Sequence, residues 1–355
     1  MSMFLGNRKK EVLGIDIGSS SVKLVQLRES RGVYHLVDIG IAPLPAEAIV
    51  DSAIMDAATV AEAIGNLIMG MGLKPINVST SISGHSVIIR KIRLPIMTEE
   101  EMESSIQWEA EQYIPFEISE VNLDFQLLGT DENDPTQMNV LLVAAKKDFV
   151  NDYISVFKEC GLNPVVIDID GFAMENAFES NHEVSDGSIV ALVNMGCSAM
   201  NINVLKDGVS AFTRDITVGG KLLNEELQKR LGLSAEDAET AKLGGKVPGV
   251  SEAEITDVIS DALESLVQEV QRSLDFFAAT ASDDRIQKVY ITGGISRHPD
   301  VRSKLAERLG LSVELISPFR NIVVDEKLFD QAYIDEIGPL MSVAVGLAMR
   351  RMGDK

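Results

Sequence analysis

The stretch V-L-G-I-D-I-G-S-S-S-V-K-L-V-Q-L, residues 12–27, constrains this chain more than any other. Two apolar runs, 12–17 and 22–27, flank a Gly-Ser-Ser-Ser turn, the pattern of a β-hairpin. Gly18 lets the backbone approach an anion closely, and Ser19, Ser20 and Ser21 add hydroxyl donors to the exposed N–H groups. Such a turn can cradle a phosphate without a positive charge of its own. Asp16 then faces the metal that accompanies the phosphate, and a carboxylate with phosphate oxygens suits Mg2+. Taken alone, the hairpin is more simply an ordinary polar turn. A second copy changes that balance. Residues 189–205 read I-V-A-L-V-N-M-G-C-S-A-M-N-I-N-V-L, with Asn194, Gly196 and Ser198 where the first copy has Asp16, Gly18 and Ser20. A third loop follows at 289–296, a buried-type strand ending in Gly293-Gly294 ahead of a helix that begins near His298 or Pro299.

The order and spacing of these loops resemble those of the actin, Hsp70 and sugar-kinase superfamily. Nearly the whole chain resembles the type IV pilus assembly protein PilM family, which is related to the division protein FtsA. That resemblance implies an α/β, actin-like fold of two domains around a central cleft, binding ATP or ADP with Mg2+. It implies phosphate contacts from Gly18, Ser19, Ser20, Ser21 and Lys23 on one side and from Gly196, Cys197 and Ser198 on the other. Asp16 and Asn194 would hold the metal through water, and Gly219, Gly220, Gly293, Gly294 and Ile295 would line the nucleotide. Ala238-Glu239-Thr240-Ala241-Lys242 resembles the A-E-x-x-K helix that contacts ribose and adenine in bacterial actin homologues; by itself an i, i+3 Glu–Lys pair is a common surface feature. Asp170 and Glu175 fall where the superfamily crosses between domains and carries an acid or amide that orients the attacking water. A helix cap and a solvated face are their simpler readings. Asn194 stands where the superfamily usually has an aspartate, and an amide neither supplies negative charge nor accepts a proton. The implied hydrolysis is very slow or absent.

The expected division assigns residues 1–75, 164–187 and 330–355 to the first domain, 188–217 and 281–329 to the second, and 218–280 to a helical subdomain. Residues 76–163 form an inserted α+β, SHS2-like subdomain of the FtsA 1C type. It is expected to hold a strand pair, 76–82 with 87–94, and a helix over 98–113 opened by a Thr98-x-x-Glu101 capping box. Trp108 on that helix reads as core, and residues 130–135 as a solvated turn. Farther on, a Ser251-x-x-Glu254 capping box opens a long helix whose apolar stripe runs from Ile255 to Phe277. A last helix is expected over 338–349.

Composition excludes several classes. With 355 residues, 45% of them hydrophobic, the chain can build more than one core, and a net charge of −22 opposes binding to nucleic acid or to an anionic membrane surface. There is no apolar run of the roughly 18 residues a spanning helix needs. Residues 1–10 lack the apolar length of a secretory signal, so a cytoplasmic protein is expected, without direct membrane insertion. Two cysteines exclude a disulfide framework, and four scattered histidines show no ligand spacing and read as surface or loop residues. The family resemblance implies recruitment to the inner membrane through the N-terminal cytoplasmic peptide of PilN, docked along residues 87–95 and 98–113, with other pilus motor or platform components as further partners. Two other functions compete: a small-molecule kinase of the same superfamily, for which no catalytic carboxylate stands out, and an FtsA-like filament, whose membrane-binding tail helix residues 349–355 are too short to form.

Overall fold

The computed structural model describes residues 12–73, 77–131, 134–185, 187–281 and 285–354. The N-terminal residues 1–10 and part of the expected turn at 130–135 lie outside them. The chain opens on an antiparallel meander of β1 (Leu13–Ile17), β2 (Ser21–Ser30) and β3 (Val33–Pro43), in a register that sets Asp16 opposite Lys23. A short hairpin of β4 (Ile49–Val50) and β5 (Ala53–Ile54) leads to α1 (Ala57–Gly70), where the Asp56 carboxylate caps the helix by accepting the Thr59 N–H.

β6 (Asn77–Ile82) then pairs in parallel with β1, while β7 (Val87–Pro95) pairs with a later strand. The expected strand pair 76–82 with 87–94 therefore does not form. The physical reason is burial: residues 78–82 are buried without interruption, which only an inner strand covered on both faces permits, whereas the end of β7 alternates buried and exposed. β7, α2 (Glu99–Ala110), β8 (Val121–Thr130) and β9 (Gln137–Lys146) make a separate unit, a sheet in the order β7-β9-β8 with its own core of Ile92, Leu94, Met102, Ile106, Val140 and Leu142. The Thr98 capping box forms as its sequence predicts. Trp108, however, is 71% exposed. Met102, Ile106 and Ala110 at i, i+4 and i+8 make the buried stripe of α2, and Trp108, two residues past Ile106, points away from it.

α3 (Lys147–Glu159) returns to the first sheet, packing Phe149, Tyr153, Val156 and Phe157 into the core that holds Val60 and Ile64. β10 (Asn163–Ile169) completes a sheet ordered β10-β6-β1-β2-β3. With β6 and α3 both in the first domain, the inserted unit runs only from β7 to β9 and is narrower than residues 76–163.

α4 (Asp170–Asn181) crosses to a second meander of β11 (Ile189–Met195), β12 (Met200–Lys206) and β13 (Val209–Ile216). α5 (Lys221–Leu231), α6 (Ala235–Lys242) and α7 (Glu252–Thr280) follow, then β14 (Lys288–Thr292), α8 (Pro299–Leu309) and β15 (Ser312–Leu315). The second sheet is ordered β13-β12-β11-β14-β15, the same arrangement of meander and parallel strands as the first. α7 buries the stripe from Ile255 to Phe277 against it. Beyond β15 the chain rejoins the first sheet earlier than residue 330: Val323 bridges His35, and Ile322 packs with Leu36. α9 (Gln331–Ile337) and α10 (Ser342–Met349) close the fold, separated by a 3-10 turn at Gly338–Leu340 and a 91° bend, so the helix expected over 338–349 is broken. A Cβ on Gly346 would lie 1.7 Å from the Ala173 carbonyl, so α10 and α4 cross with backbones in contact. No single helix among the described residues is long and apolar enough to cross a membrane. His182 departs from its surface reading: it is buried, its Nε2 accepts the Ser317 N–H at 3.1 Å, and burial pushes its pKa down to about 4.

Candidate functional site between the two hairpins

A cleft of about 630 Å³ opens between the two sheets, within the size range of small-molecule sites. The β1–β2 and β11–β12 turns face each other across it, and the Ser198 N–H donates to Ser19 Oγ at 3.2 Å. On the first turn Asp16, Gly18, Ser19, Ser20 and Lys23 line the cleft. Lys23 Nζ lies 3.2 Å from Asp16 Oδ2, and a Cβ on Gly18 would come within 2.6 Å of that ammonium. Ser21 does not join them: it is the first residue of β2, opposite Pro43, and its carbonyl closes the turn by accepting the Gly18 N–H at 3.1 Å.

On the second turn Asn194, Gly196, Cys197 and Ser198 line the cleft. A Cβ on Gly196 would sit 2.6 Å from the Ala199 carbonyl, so a tight turn is enforced there. The turn's carbonyls anchor the start of α5, with Gly220 N–H donating to Gly196 O at 2.9 Å and Lys221 N–H to Cys197 O at 2.7 Å. Gly220 lines the cleft, but Gly219 packs behind it, where a Cβ would meet the Gly196 and Cys197 carbonyls at 2.6 Å. Gly293, at φ +88, completes the wall with Gly294 and Ile295; its Cβ would meet Asn194 Oδ1 and Met195 O at 2.6 Å.

This chain matches the model of the type IV pilus assembly protein PilM over residues 14–352. The chain belongs to the PilM family. It is 30% identical, over 96% of its length and 98% of the other chain, to a protein solved as the PilM-PilN type IV pilus biogenesis complex, with a TM-score of 0.85. Ethanolamine utilization protein EutJ from Carboxydothermus hydrogenoformans shares the fold at 16% identity and TM-score 0.56, covering 95% of this chain and 89% of that one. MreB5 of Spiroplasma citri bound to ADP does so at 13% and 0.52, covering 96% and 95%. The fold of this PilM-family chain is therefore actin-like.

Between the hairpins, at the head of α4, Asp170 lines the cleft floor and does not cap the helix; its carboxylate accepts Ser81 Oγ–H at 2.6 Å. Burial and the neighbouring Asp16 push its pKa up to about 6 against the opposing bonds from Ser81 and Ser83. Glu175 does not reach the cleft expected of it. It lies outside the cleft lining and is not a solvated surface acid either: Asn203 Nδ2 donates to it at 2.7 Å, and burial pushes its pKa up to about 8. Five residues beyond Asp170, it turns to another side of α4.

At the far end of the cleft, Glu239 bonds Lys242 at 2.5 Å and accepts from Asn224 Nδ2 at 2.6 Å. Partial burial raises the Glu239 carboxyl, but these two partners outweigh it and hold it below the usual range. Asn224, Ser81, Ser83 and Tyr153 also line the cleft and were not singled out from sequence. A signal existed for Ser81: Ser79-Thr80-Ser81 is a polar run inside a buried strand, and buried hydroxyls need a reason. Asn224 had none, because it stands four residues into an ordinary amphipathic helix.

Among the described residues no group of three His, Cys, Asp or Glu could hold a metal ion. Of the donors that line the cleft, the carboxylates of Asp16 on β1 and Asp170 on α4 and the amide of Asn194 on β11 fit Mg2+ held by water and phosphate oxygens. Each turn also places a glycine at the cleft, Gly18 and Gly196.

Proposed function

We propose that this PilM-family chain binds ATP or ADP with Mg2+ in the interdomain cleft and serves as a scaffold of the pilus assembly complex. It docks the N-terminal cytoplasmic peptide of PilN and is thereby held at the inner membrane. The observation that carries the nucleotide reading is the pair of glycine turns facing each other across the cleft, joined by the Ser19–Ser198 contact. Phosphates would take the Ser198 N–H now given to Ser19 Oγ, and the Ser19 hydroxyl with it, and Lys23, paired with Asp16 at 3.2 Å, is placed to follow them. Mg2+, when bound, neutralises phosphate charge that Asp16 and Asp170 would otherwise repel. Asp16 and Asn194 would hold its waters, and Ser19, Ser20 and Ser198 would orient the phosphate oxygens.

Hydrolysis is the weak step. Asp170 can order a water and accept its proton, with a pKa near 6, but Asn194 provides no charge opposite it. Nucleotide then acts as a conformational ligand, with turnover slower than one per minute. Sustained faster turnover by the purified chain would overturn this point. Support for the PilN partner comes from the complex with PilN in which the 30% identical relative was solved. Calorimetry with Mg-ATP tests the nucleotide reading. Asp16→Ala should lose about 1.5–3 kcal/mol, the worth of a hydrogen bond to a charged group, and no binding by the unaltered chain would refute it.

A further inference from the structure

A row of polar side chains crosses the second sheet from β11 to β13. Asn194 on β11 is registered with Asn201 on β12, and Asn201 with Asp215 on β13. The row is continuous: Asn201 Nδ2 donates to Asp215 Oδ1 at 2.8 Å, and Asn194 Nδ2 donates to Asn201 Oδ1 at 3.1 Å. Its direction has one physical origin. A carboxylate only accepts, so Asp215 decides which end of the Asn201 amide faces it. Asn201 then presents its oxygen to Asn194, and Asn194 is left with its own Oδ1 beside Gly293 at the cleft, without a side-chain donor among the described residues. Replacing Asp215 removes the reason for that orientation.

The other oxygen of Asp215 reaches across the molecule. Oδ2 accepts the N–H of Gly84 at 2.6 Å. Gly84 lies between the end of β6 and the start of β7, at the root of the inserted unit, and adopts φ +95 with Ser52 so near that a Cβ would lie 3.1 Å from its Oγ. One carboxylate thus touches both the residue chain that ends at the metal side of the cleft and the backbone from which the inserted unit departs.

We propose that Asp215 is a positioning residue with two tasks: through Asn201 it aims the Asn194 carbonyl oxygen into the cleft, and through Gly84 it ties the second domain to the root of the inserted unit. Occupation of the cleft that favours one setting of Asn194 then favours the same setting of Asp215 and of the Gly84 bond. Coupling of this kind is reciprocal. It rests on the nucleotide reading only for its first task, since the Gly84 bond is independent of any ligand.

Hydrogen exchange of the segment 83–90, with Mg-ATP titrated into the full chain, tests both tasks. In the wild type Mg-ATP should slow exchange there. Asp215→Asn can satisfy only one of the two donors; exchange at 83–90 should rise several-fold without nucleotide and no longer respond to it, while Mg-ATP affinity falls about tenfold. Asn201→Ala separates the tasks: Gly84 stays protected, but the response to Mg-ATP is lost. A wild type that binds Mg-ATP without any change at 83–90, or a D215N variant that responds like wild type, overturns the relay. Failure of the wild type to bind Mg-ATP refutes the nucleotide reading instead, and the tie to the inserted unit is then judged by D215N alone. Unchanged exchange in that variant overturns it.

Discussion

Two glycines show how the same substitution acts through different physics. At Gly18 the obstacle to a Cβ is the end of a lysine side chain, which can swing away, so Gly18→Ala should fold with little change in stability. Displacing Lys23 from the turn should still weaken Mg-ATP binding by about tenfold or more, the equivalent of about 1.4 kcal/mol, and calorimetry beside a melting curve reads both. At Gly346 the obstacle is the Ala173 carbonyl at 1.7 Å, which cannot move without parting α10 from α4. Gly346→Ala should cost about 3 kcal/mol or more, at the upper end of overpacking effects, visible as a large fall in the urea midpoint. Glu175 makes a pH prediction. Its pKa rises from an ordinary 4.5 to about 8, chiefly by burial, so the folded state holds the proton more tightly than the unfolded one. Stability from this group is full below about pH 4.5 and is lost as the pH rises toward 8. Glu175→Gln should flatten that decline between pH 5 and 8.5 in urea titrations, and an unaltered slope would remove Glu175 as its source.

Among the elements, the inserted unit gives the clearest tests. The Lys146 N–H donates to Ser86 O at 3.0 Å, so the ends of β7 and β9 meet where the unit joins the first domain. Excising residues 87–145 and closing the gap with a short glycine linker should leave a cooperatively folding protein. Removing 76–163 should not, because it takes the inner strand β6 and the core helix α3 with it. Trp108 on α2 is the single tryptophan. At 71% exposure its fluorescence should be that of a water-exposed indole and respond strongly to acrylamide. Trp108→Ala should change stability by less than about 0.5 kcal/mol, as surface substitutions do. A blue-shifted, protected emission would contradict the orientation of α2.

For the whole molecule, the sequence by itself determined the elements whose signals are local. Turn chemistry at Gly18 and Gly196, the capping boxes at Thr98 and Ser251 and the 3.6-residue stripe of α7 depend on neighbours a few residues away, and each stands where its pattern put it. The duplicated hairpin was legible for the same reason, and the actin-like plan followed from the family resemblance that the hairpins and the Gly293-Gly294 loop carry. What only the tertiary structure decided was which surfaces meet. Residues 77–82 and 87–95 both read as strands, but nothing local says that the first is inner to one sheet and the second edges another. Asp170 and Glu175, five residues apart on one helix, are told apart by what the fold brings against them: the cleft and Ser81 of β6 at one and the buried Asn203 at the other. Ser21 and Gly219 continue patterns that point to the cleft, yet backbone bonds and close carbonyls assign them to the scaffold behind it. The row from Asp215 to Asn194 joins residues 21 positions apart, and its bond to Gly84 spans 131. The row needs only the second sheet to form, but the bond to Gly84 exists only once both domains have folded and closed on each other, because no local propensity encodes its partners.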